Sequence, residues 1–536
     1  MNVWFDYATP SVLESTRDEA LIGLTANQRR PVRFHAKLTR NPFLFRVAMR
    51  AFGQIIWSSD SWYSSGDTLD PIITVHPDAL VFEAFSRDQS VYAQVKLAID
   101  QFEVEGEVKY GTTNVDFTAW LWAALGELRS HRETWLRIDK QGFEVATRQA
   151  GGRFEKKVDV PDAWVRGFLN LQQALLIPGP RVHARPVDLL APIRFLRYAK
   201  CRISPRALRY EFEPGQPVRL LLEPWEKAFL FKGSTHHYTE LKTIRNWGRR
   251  RLALIEPLLP FATDVEIFLK GRSMPAFYLV RLPGMTFTLG LSGVSDHAWT
   301  DLESFSASAA AQSIDSRVFE AAFTAFQSRS TLSLAELESE SSIARQDALA
   351  ACSRLCRRGQ LTFDLDNGKY RFRKLVDAPV DEQKIFPPSR RFELALKRVQ
   401  EEKIRVVSCD MQETRKQHTF KTPEGKLTRE VIHRDHHVCG EAVGTGAVEI
   451  VVKDNTQIIF GRCQCQQFSD HLLSQGPCEE MISLFLASSD QRRDLPVADE
   501  ALGPRPPSKR KLREQSEEQG GGDDVDGEES DGVEEE

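Results

Sequence analysis

The sequence contains no apolar run close to the ~20 residues that a membrane-spanning helix needs, and residues 1–17 lack the basic and apolar regions of a signal peptide. Its 8 cysteines are ordinary usage for a chain of 536 residues, and 5 of them fall in the last quarter. In a reducing compartment, such clustering favours metal binding over disulfide bonds. We therefore expect a cytoplasmic protein that has no association with membranes.

The motifs of common enzyme classes are missing as well. The chain has no glycine-rich phosphate loop and no G-x-S-x-G or H-E-x-x-H motif. It also has no carboxylate cluster with the spacing of a metal-dependent nuclease or polymerase. These absences predict a protein that is not an enzyme. The rival hypothesis is a hydrolase or nuclease whose site lies within residues 1–300 without a local motif.

The length and the 41% hydrophobic composition predict roughly three or four domains with real cores. Residues 516–536 hold 11 acidic residues and no lysine or arginine, and without them the net charge of −4 becomes +7. A mildly basic body is compatible with weak binding of a polyanion. Residues 502–536 are proline-rich, then basic, then acidic, so they cannot bury a core and are predicted to be disordered.

Residues 1–300 contain a short internal repeat. The segment VHPDALVFEAF at 75–85 is echoed by ISPRALRYEF at 203–212. Each copy precedes an alternating strand-like run and then a helix-like stretch, at 115–128 in the first copy and 241–259 in the second. This order predicts an α+β region built from a duplicated strand-strand-helix unit.

The end of this region has two further features. The basic run RNWGRRR at 245–251 is either the solvated face of the second helix or a contact surface for phosphates. Three strand-like runs follow at 265–269, 276–282 and 286–289, separated by glycine-containing turns. This spacing predicts an antiparallel meander.

Residues 315–376 have the pattern of three helices followed by a hairpin. The first helix carries an apolar stripe at 319–326, and Ser333 with Glu336 forms a capping-box sequence before the second. A third helix is predicted at 344–358, and a hairpin at 360–372 turns on Asp366-Asn367-Gly368. This order predicts a winged-helix-like domain.

The third helix of this domain carries a polar face that would enter the groove if the domain binds DNA. The candidate nucleic-acid-binding residues on that face are Arg345, Gln346, Arg354, Arg357 and Arg358. The alternative is a protein-docking module, because Asp364 and Asp366 of the hairpin would repel phosphate.

Residues 377–443 are polar and predict a connector, with a helix at 389–402 and an irregular part at 414–434. The segment HRDHHVC at 433–439 offers imidazole and thiol groups to a metal. Its spacing fits no closed site, which favours a surface turn leading into strands.

The C-terminal cysteines have the spacing of a small zinc site. Cys463 and Cys465 follow two strand-like runs, and Cys478 begins an apolar helix. Zinc takes four ligands in a tetrahedron, so a fourth is needed beyond these three thiolates. The sequence leaves three alternatives open: Glu480 completes the site, His471 folds back from the connecting loop, or the unit keeps its fold without tight metal binding.

Two strands, a C-x-C knuckle and a third cysteine at a helix start resemble the SWIM zinc finger, whose pattern ends in C-x-H. The resemblance covers residues 444–488, including Gly476-Pro477-Cys478, and it implies zinc ligation by Cys463, Cys465 and Cys478. Glu480 occupies the position of the family's histidine. The segments at 287–293 and 429–435, together with the winged-helix-like block, are similar to large bacterial SWIM-containing proteins. That likeness implies binding of DNA or protein and, as partners, MoxR-type AAA+ ATPases or von Willebrand A domain proteins.

Together these patterns predict an α+β multidomain chain. Its predicted parts are a duplicated region at 1–300, a winged-helix-like domain at 315–376, a connector at 377–443, a small ββα zinc finger at 444–490 and a disordered tail at 502–536. The predicted function is non-catalytic binding of DNA or a protein partner, with Zn2+ as the bound metal. The alternative is an adaptor of an AAA+ ATPase or von Willebrand A domain complex.

Overall fold

The computed structural model describes residues 3–57, 70–140, 156–160, 162–177, 179–201, 207–246, 248–270, 275–292, 299, 315–376, 380, 385, 390–422, 425–453, 457–471, 477–488 and 491. The predicted disordered tail at 502–536 lies outside these residues. The fold is mixed α/β, as expected, with several β-sheets. The α-helices are α1 Pro42–Trp57, α2 Ala119–Ala124, α3 Asp162–Leu176, α4 Pro186–Tyr198, α5 Ser316–Ser328, α6 Leu334–Ser341, α7 Arg345–Arg357, α8 Arg390–Gln400, α9 Gln466–His471 and α10 Glu479–Ala487.

The strands of the first half belong to several sheets. They are β1 Val3–Tyr7, β2 Val12–Ser15, β3 Glu19–Thr25, β4 Phe34–Leu38, β5 Ile72–Val75, β6 Ala79–Phe85, β7 Val91–Ala98, β8 Phe102–Val104, β9 Gly111–Asn114, β10 Glu133–Asp139, β11 Lys156–Val160, β12 Arg181–Ala184, β13 Leu208–Phe212, β14 Arg219–Leu222, β15 Lys227–Leu230 and β16 Lys242–Asn246. The later strands are β17 Asp264–Leu269, β18 Ala276–Leu282, β19 Met285–Leu291, β20 Thr331–Leu332, β21 Leu361–Asp364, β22 Lys369–Phe372, β23 Ile404–Thr422, β24 Gly425–Ala442, β25 Gly446–Lys453 and β26 Gln457–Cys463.

An eight-stranded sheet is the centre of the first 300 residues, in the order β12-β17-β18-β19-β7-β6-β5-β9. Most residues of its strands are buried because both faces of the sheet are covered. Ala93 and Tyr278 belong to the core that contains α1, whereas their neighbours Tyr92 and Phe277 pack in a second core with Phe168 of α3. The alternation of side chains along a strand places consecutive residues in these two cores.

The predicted meander is confirmed, since β17, β18 and β19 pair antiparallel in sequence order. Each repeat contains an antiparallel hairpin, β6 with β7 and β13 with β14. The predicted helix at 241–259 is wrong. Strand β16 occupies its start and pairs with β13, Gly248 adopts a φ of +97°, and the short 3-10 helices Arg251–Ile255 and Leu259–Phe261 follow. The second copy therefore does not repeat the helix of the first.

The basic run at 245–251 does not form a helix face, and two of its arginines lie inside the fold. Arg245 lies 2.8 Å from the buried carboxylate of Glu223. Arg249 donates to the backbone oxygens of Glu223 and Cys201 and stacks on the ring of Trp225. These arginines are used inside the fold, where charged groups need paired partners.

Residues 316–372, here called the three-helix unit, contain α5, α6 and α7 followed by the β21-β22 hairpin, in the predicted order. The capping box is confirmed: Ser333 Oγ accepts from Glu336 N at 3.2 Å, and Glu336 accepts from Ser333 N at 2.6 Å. The hairpin turn is also confirmed, with Gly368 at a φ of +68°. Strand β20 adds to the hairpin through β22.

The three-helix unit packs on the same face of the eight-stranded sheet as α3. Its helix α7 packs against α3, where Gln173 Nε2 donates to Ser353 O at 3.4 Å. The hairpin carboxylates face the sheet: Lys96 Nζ lies 2.8 Å from both Asp364 Oδ2 and Asp366 Oδ2. Asp364 and Asp366, which were expected to repel phosphate, are therefore paired with a cation of the sheet and do not form a free acidic surface.

The C-terminal unit, residues 390–488, is an antiparallel sheet in the order β23-β24-β25-β26, covered by α8 and α10. Helix α8 agrees with the helix predicted at 389–402. The irregular part predicted at 414–434 is instead the far end of the β23-β24 hairpin, and the segment at 433–439 lies within strand β24 rather than in a surface turn. One core joins strands from 404 onward to α10, so the sheet extends past the 444–490 limits of the predicted finger.

Among the described residues, none of the helices combines the length and the apolar character needed to cross a membrane.

Candidate functional site

Three thiols and one carboxylate converge in the C-terminal unit. The ligand atoms of Cys463, Cys465, Cys478 and Glu480 all lie within 4.8 Å of one another. Three of these residues are buried, with exposed fractions of 7% for Cys463, 1% for Cys478 and 6% for Glu480. Among the described residues, no other group of three or more histidine, cysteine or acidic side chains converges in this way.

The knuckle begins where strand β26 ends. Cys463 is the last residue of that strand, and Cys465 N donates to Cys463 Sγ at 3.4 Å. Phe468 N donates to Cys465 Sγ at the same distance, within the first turn of α9. Backbone N–H groups directed at sulfur stabilise a thiolate, so the knuckle is arranged to hold negative charge.

The second part of the site is the start of α10. Cys478 is the N-cap residue of this helix, and Glu480 lies in its first turn. The positive end of the helix dipole favours a thiolate and a carboxylate at these two positions. Met481 and Leu484 of the same helix are fully buried in the core of the C-terminal unit, which fixes the helix against the sheet.

Two glycines of the sheet allow α10 to approach closely. A Cβ atom on Gly440 would lie 2.4 Å from Leu484 Cδ1 and 2.7 Å from the backbone oxygen of Arg405. A Cβ on Gly461 would lie 2.7 Å from Met481 Sδ. Without side chains at these positions, the helix brings Cys478 and Glu480 to the knuckle.

Glu480 has two polar neighbours besides the thiols. Thr445 Oγ1 donates to Glu480 Oε1 at 3.2 Å, and Arg398 Nη2 lies 3.5 Å from the same oxygen. Arg398 also pairs with Glu479, and this hydrogen bond raises the pKa of its guanidinium. The side chain of His471, the other predicted fourth ligand, lies outside the described residues, whereas Glu480 is in the converging group.

Burial acts against the thiolate form at two of the three cysteines. Burial raises the pKa of Cys463, and burial raises that of Cys478 far more. A buried thiol loses its proton when a cation replaces it, and metal binding releases protons for this reason. The site therefore has the composition of a metal-ligand set, with three sulfur donors and one oxygen donor.

The predicted nucleic-acid-binding residues lie in different environments along α7. Arg345 is exposed and lies 3.1 Å from Glu338. Arg354 and Arg358 both stack on the ring of Phe319, with guanidinium carbons 5.9 and 4.8 Å from its centroid. Arg357 is 6% exposed, so the prediction that it points outward is wrong. The side chain of Gln346 lies outside the described residues.

Two residues at the metal-ligand set were not predicted from the sequence. Arg398 comes from α8, some distance along the chain from the cysteines, and Thr445 comes from the β24-β25 turn. The sequence carries a weak signal for Arg398, since it lies in the last turn of a helix preceding the finger. Its approach to Glu480 depends on how α8 packs against α10, which no local pattern specifies.

Comparisons with known proteins give limited information. No protein-family model matches the chain, and no curated protein matches it. Solved structures that are similar include the proliferating cellular nuclear antigen of Entamoeba histolytica, with 13% identity, 49% of this chain and 98% of that chain covered, and a TM-score of 0.32. The structure of the C-terminal region of FEN-1 bound to A. fulgidus PCNA has the same identity and TM-score and covers 49% of this chain and 99% of that chain. A TM-score this low supports no conclusion on fold or function.

Proposed function

We propose that the protein is a non-catalytic zinc-binding protein that uses a SWIM-type finger and a winged-helix-like unit to bind a macromolecular partner. The observation that carries the proposal is the convergence of Cys463, Cys465, Cys478 and Glu480 within 4.8 Å. These residues come from a strand end, a turn and a helix start. Such an arrangement of thiols is typical of structural zinc sites.

The dimensions of the group support zinc. With zinc–sulfur bonds of about 2.3 Å, the sulfurs of a tetrahedral site lie about 3.8 Å apart, and the observed limit of 4.8 Å accommodates that spacing. Four protein ligands leave no open position for water or substrate, which is the pattern of a structural rather than a catalytic site. We infer that the metal orders α10 on the sheet.

We propose a protein as the partner, with an AAA+ ATPase or a von Willebrand A domain protein as the candidates that the family resemblance implies. The packing of α7 against α3 and the burial of Arg357 support this choice over DNA. DNA is the second candidate, supported by the exposure of Arg345 and the net charge of +7 on residues 1–515.

Elemental analysis of the purified full chain tests the zinc site. We expect about one equivalent of zinc, with loss of the metal in Cys463→Ser and Cys478→Ser. The matched control is Cys439→Ser, since Cys439 lies in strand β24 of the same sheet and outside the converging group, and this variant should keep its zinc. A well-folded wild-type protein without zinc would contradict the proposal.

Hydrogen exchange before and after chelation tests the role of the metal. We expect faster exchange of the amides of β25, β26 and α10 after zinc is removed, because the buried ligands lose their common cation. The amides of β18 and β19 should not change. Equal exchange in both states would show that the metal does not order the C-terminal unit.

DNA binding at low salt separates the two partner classes. If the partner is a protein, the double variant Arg345→Ala, Arg354→Ala should leave any weak DNA affinity unchanged. A salt-dependent loss of affinity in that variant would favour DNA instead. Capture from the native host should then identify an AAA+ ATPase or a von Willebrand A domain protein.

A further inference from the structure

Arg398 makes more contacts around the metal-ligand set than its position in the sequence would suggest. Its Nη2 lies 3.5 Å from Glu480 Oε1, its Nη1 donates to Val443 O at 3.4 Å, and its Nε pairs with Glu479. Its side chain is only 24% exposed. This single guanidinium therefore joins α8, the β24-β25 turn and the first turn of α10.

The contacts on Glu480 involve one of its two oxygens. Oε1 accepts from Thr445 Oγ1 and faces Arg398 Nη2. A carboxylate whose one oxygen is engaged in this way can offer the other to a metal as a single ligand. Outer partners of this kind fix the orientation of a ligating group in metal sites generally.

Charge gives a second reason for an arginine at this place. Zinc bound by three thiolates and a carboxylate carries a net charge of two minus, whereas three thiolates and a neutral histidine give one minus. Excess charge is costly in a buried site, where water screens it poorly. The permanently charged guanidinium of Arg398, which also pairs with Glu479, offsets part of the negative charge at Glu480 and brings the site closer to the balance of a Cys3His site.

We propose that Arg398 is a positioning residue of the metal centre, which presents the Glu480 carboxylate to zinc and offsets the charge that a carboxylate brings in place of a histidine. This inference rests on the proposed zinc site. In the alternative, purely structural role, Arg398 would only join α8 to α10 through Glu479 and would not affect how Glu480 binds zinc.

The test is a double-mutant cycle on zinc affinity, measured by competition with a chromophoric chelator. Arg398→Gln should weaken zinc binding by about tenfold or more, the range found for outer partners of metal ligands. In the Glu480→His background, the same substitution should change affinity by less than about threefold, because a neutral ligand needs no compensating charge. Arg398→Lys, which keeps the charge without the planar fork, should give an intermediate affinity.

Two control variants address the structural role. Glu479→Gln removes the other carboxylate partner of Arg398 without touching a metal ligand, and it should leave zinc affinity close to that of the wild type. Arg405→Gln removes an exposed ion pair with Glu441 elsewhere in the same unit and should have no effect. Circular dichroism of each variant with and without zinc reports whether the unit still folds.

The outcomes separate this inference from the proposed function. If the wild type binds zinc but Arg398→Gln weakens binding equally in both backgrounds, Arg398 is only structural and the inference is wrong, whereas the zinc site stands. If Glu479→Gln causes the same loss as Arg398→Gln, the inference is also wrong. If the folded wild type binds no zinc, the proposed function and this inference both fail.

Discussion

Two clusters of buried polar groups in the described residues differ in how their charges are balanced. At the contact of the three-helix unit with the eight-stranded sheet, each carboxylate faces a cation of the protein. Arg373, the residue directly after the three-helix unit, has Nη1 3.0 Å from both oxygens of Glu83, and Lys96 and Arg371 both contact Asp364. In the C-terminal unit, three thiols converge with Glu480, whose carboxylate lies 3.5 Å from the guanidinium of Arg398.

The charge balance distinguishes a cluster of structural ion pairs from a metal-ligand set. The charges at the three-helix unit balance within the protein, and they hold two parts of the chain together. In the thiol cluster, burial raises the pKa of Cys463 and Cys478, and the three sulfurs and one carboxylate have the composition of a metal-ligand set. Mutations should therefore act at the first place through stability and at the second through metal binding.

The largest effect is expected from Glu83→Ala. Arg373 is fully buried, so this substitution leaves its charge without a carboxylate and should reduce the free energy of unfolding by about 3–5 kcal/mol. Urea denaturation of the wild type and the variant measures the change. Zinc content should not change, because Glu83 lies in the eight-stranded sheet.

Two further variants control this prediction. Glu441→Ala breaks an exposed pair with Arg405 and should change the free energy of unfolding by less than about 1 kcal/mol. The double variant Glu83→Met, Arg373→Met removes both charges and should recover most of the loss. If Glu83→Ala and Glu441→Ala reduce the free energy of unfolding by similar amounts, the buried ion pair does not stabilise the packing of these two parts of the chain.

An intermediate effect is expected from Gly440→Ala. The new methyl group would lie 2.7 Å from a backbone oxygen of β23, which cannot move aside cheaply. We expect a loss of about 1–3 kcal/mol in the stability of the C-terminal unit, and weaker zinc binding because α10 is displaced. Denaturation in the presence and absence of chelator measures both.

Gly461→Ala is the matched control for this substitution. Its methyl group meets only the flexible end of Met481, with the nearest backbone oxygen at 3.5 Å, so the loss should be smaller. If Gly461→Ala reduces the stability of the C-terminal unit as much as Gly440→Ala does, contact with the backbone oxygen is not the cause of the loss.

The smallest effect is expected at the capping box of α6, away from both buried groups. Ser333→Ala removes the side-chain acceptor at the helix start and should cost about 1 kcal/mol. Hydrogen bonds from Ser333 and Lys369 lower the pKa of Glu336 from 4.5 to about 2. A lowered folded-state pKa gives stability that is present above pH 4.5 and is lost as the pH falls towards 2.

Thermal unfolding across this pH range measures the contribution of Glu336. The melting temperature of Glu336→Gln should fall below that of the wild type at pH 7, and the difference should shrink as the pH is lowered. A difference that is constant with pH would contradict the ionic part of the contact.

The sequence predicted correctly those elements that neighbouring residues are sufficient to specify. The meander β17 to β19, the capping box of Ser333 and Glu336, and the turn at Gly368 agree with the sequence-based expectations. Each depends on neighbouring residues alone, through alternation of apolar side chains, a cap or a glycine at positive φ.

The wrong predictions concern segments whose structure depends on residues distant in the sequence. Residues 413–422 and 425–434 pair with each other beyond the end of β25, and their polar sequence lacks the apolar alternation that predicts a strand. Segment 241–259 has helical spacing, but pairing of β16 with β13 overrides it. Arg357 is polar, yet tertiary packing buries it.

The sequence by itself determined that Cys463, Cys465 and Cys478 follow two strands and flank a helix start, because spacing and local periodicity specify those positions. Only the tertiary structure decided that Glu480 joins them and that Arg398 and Thr445 contact its carboxylate. The physical reason is that metal ligation and charge balance depend on distances between elements, and those distances follow from how α8 and α10 pack on the sheet.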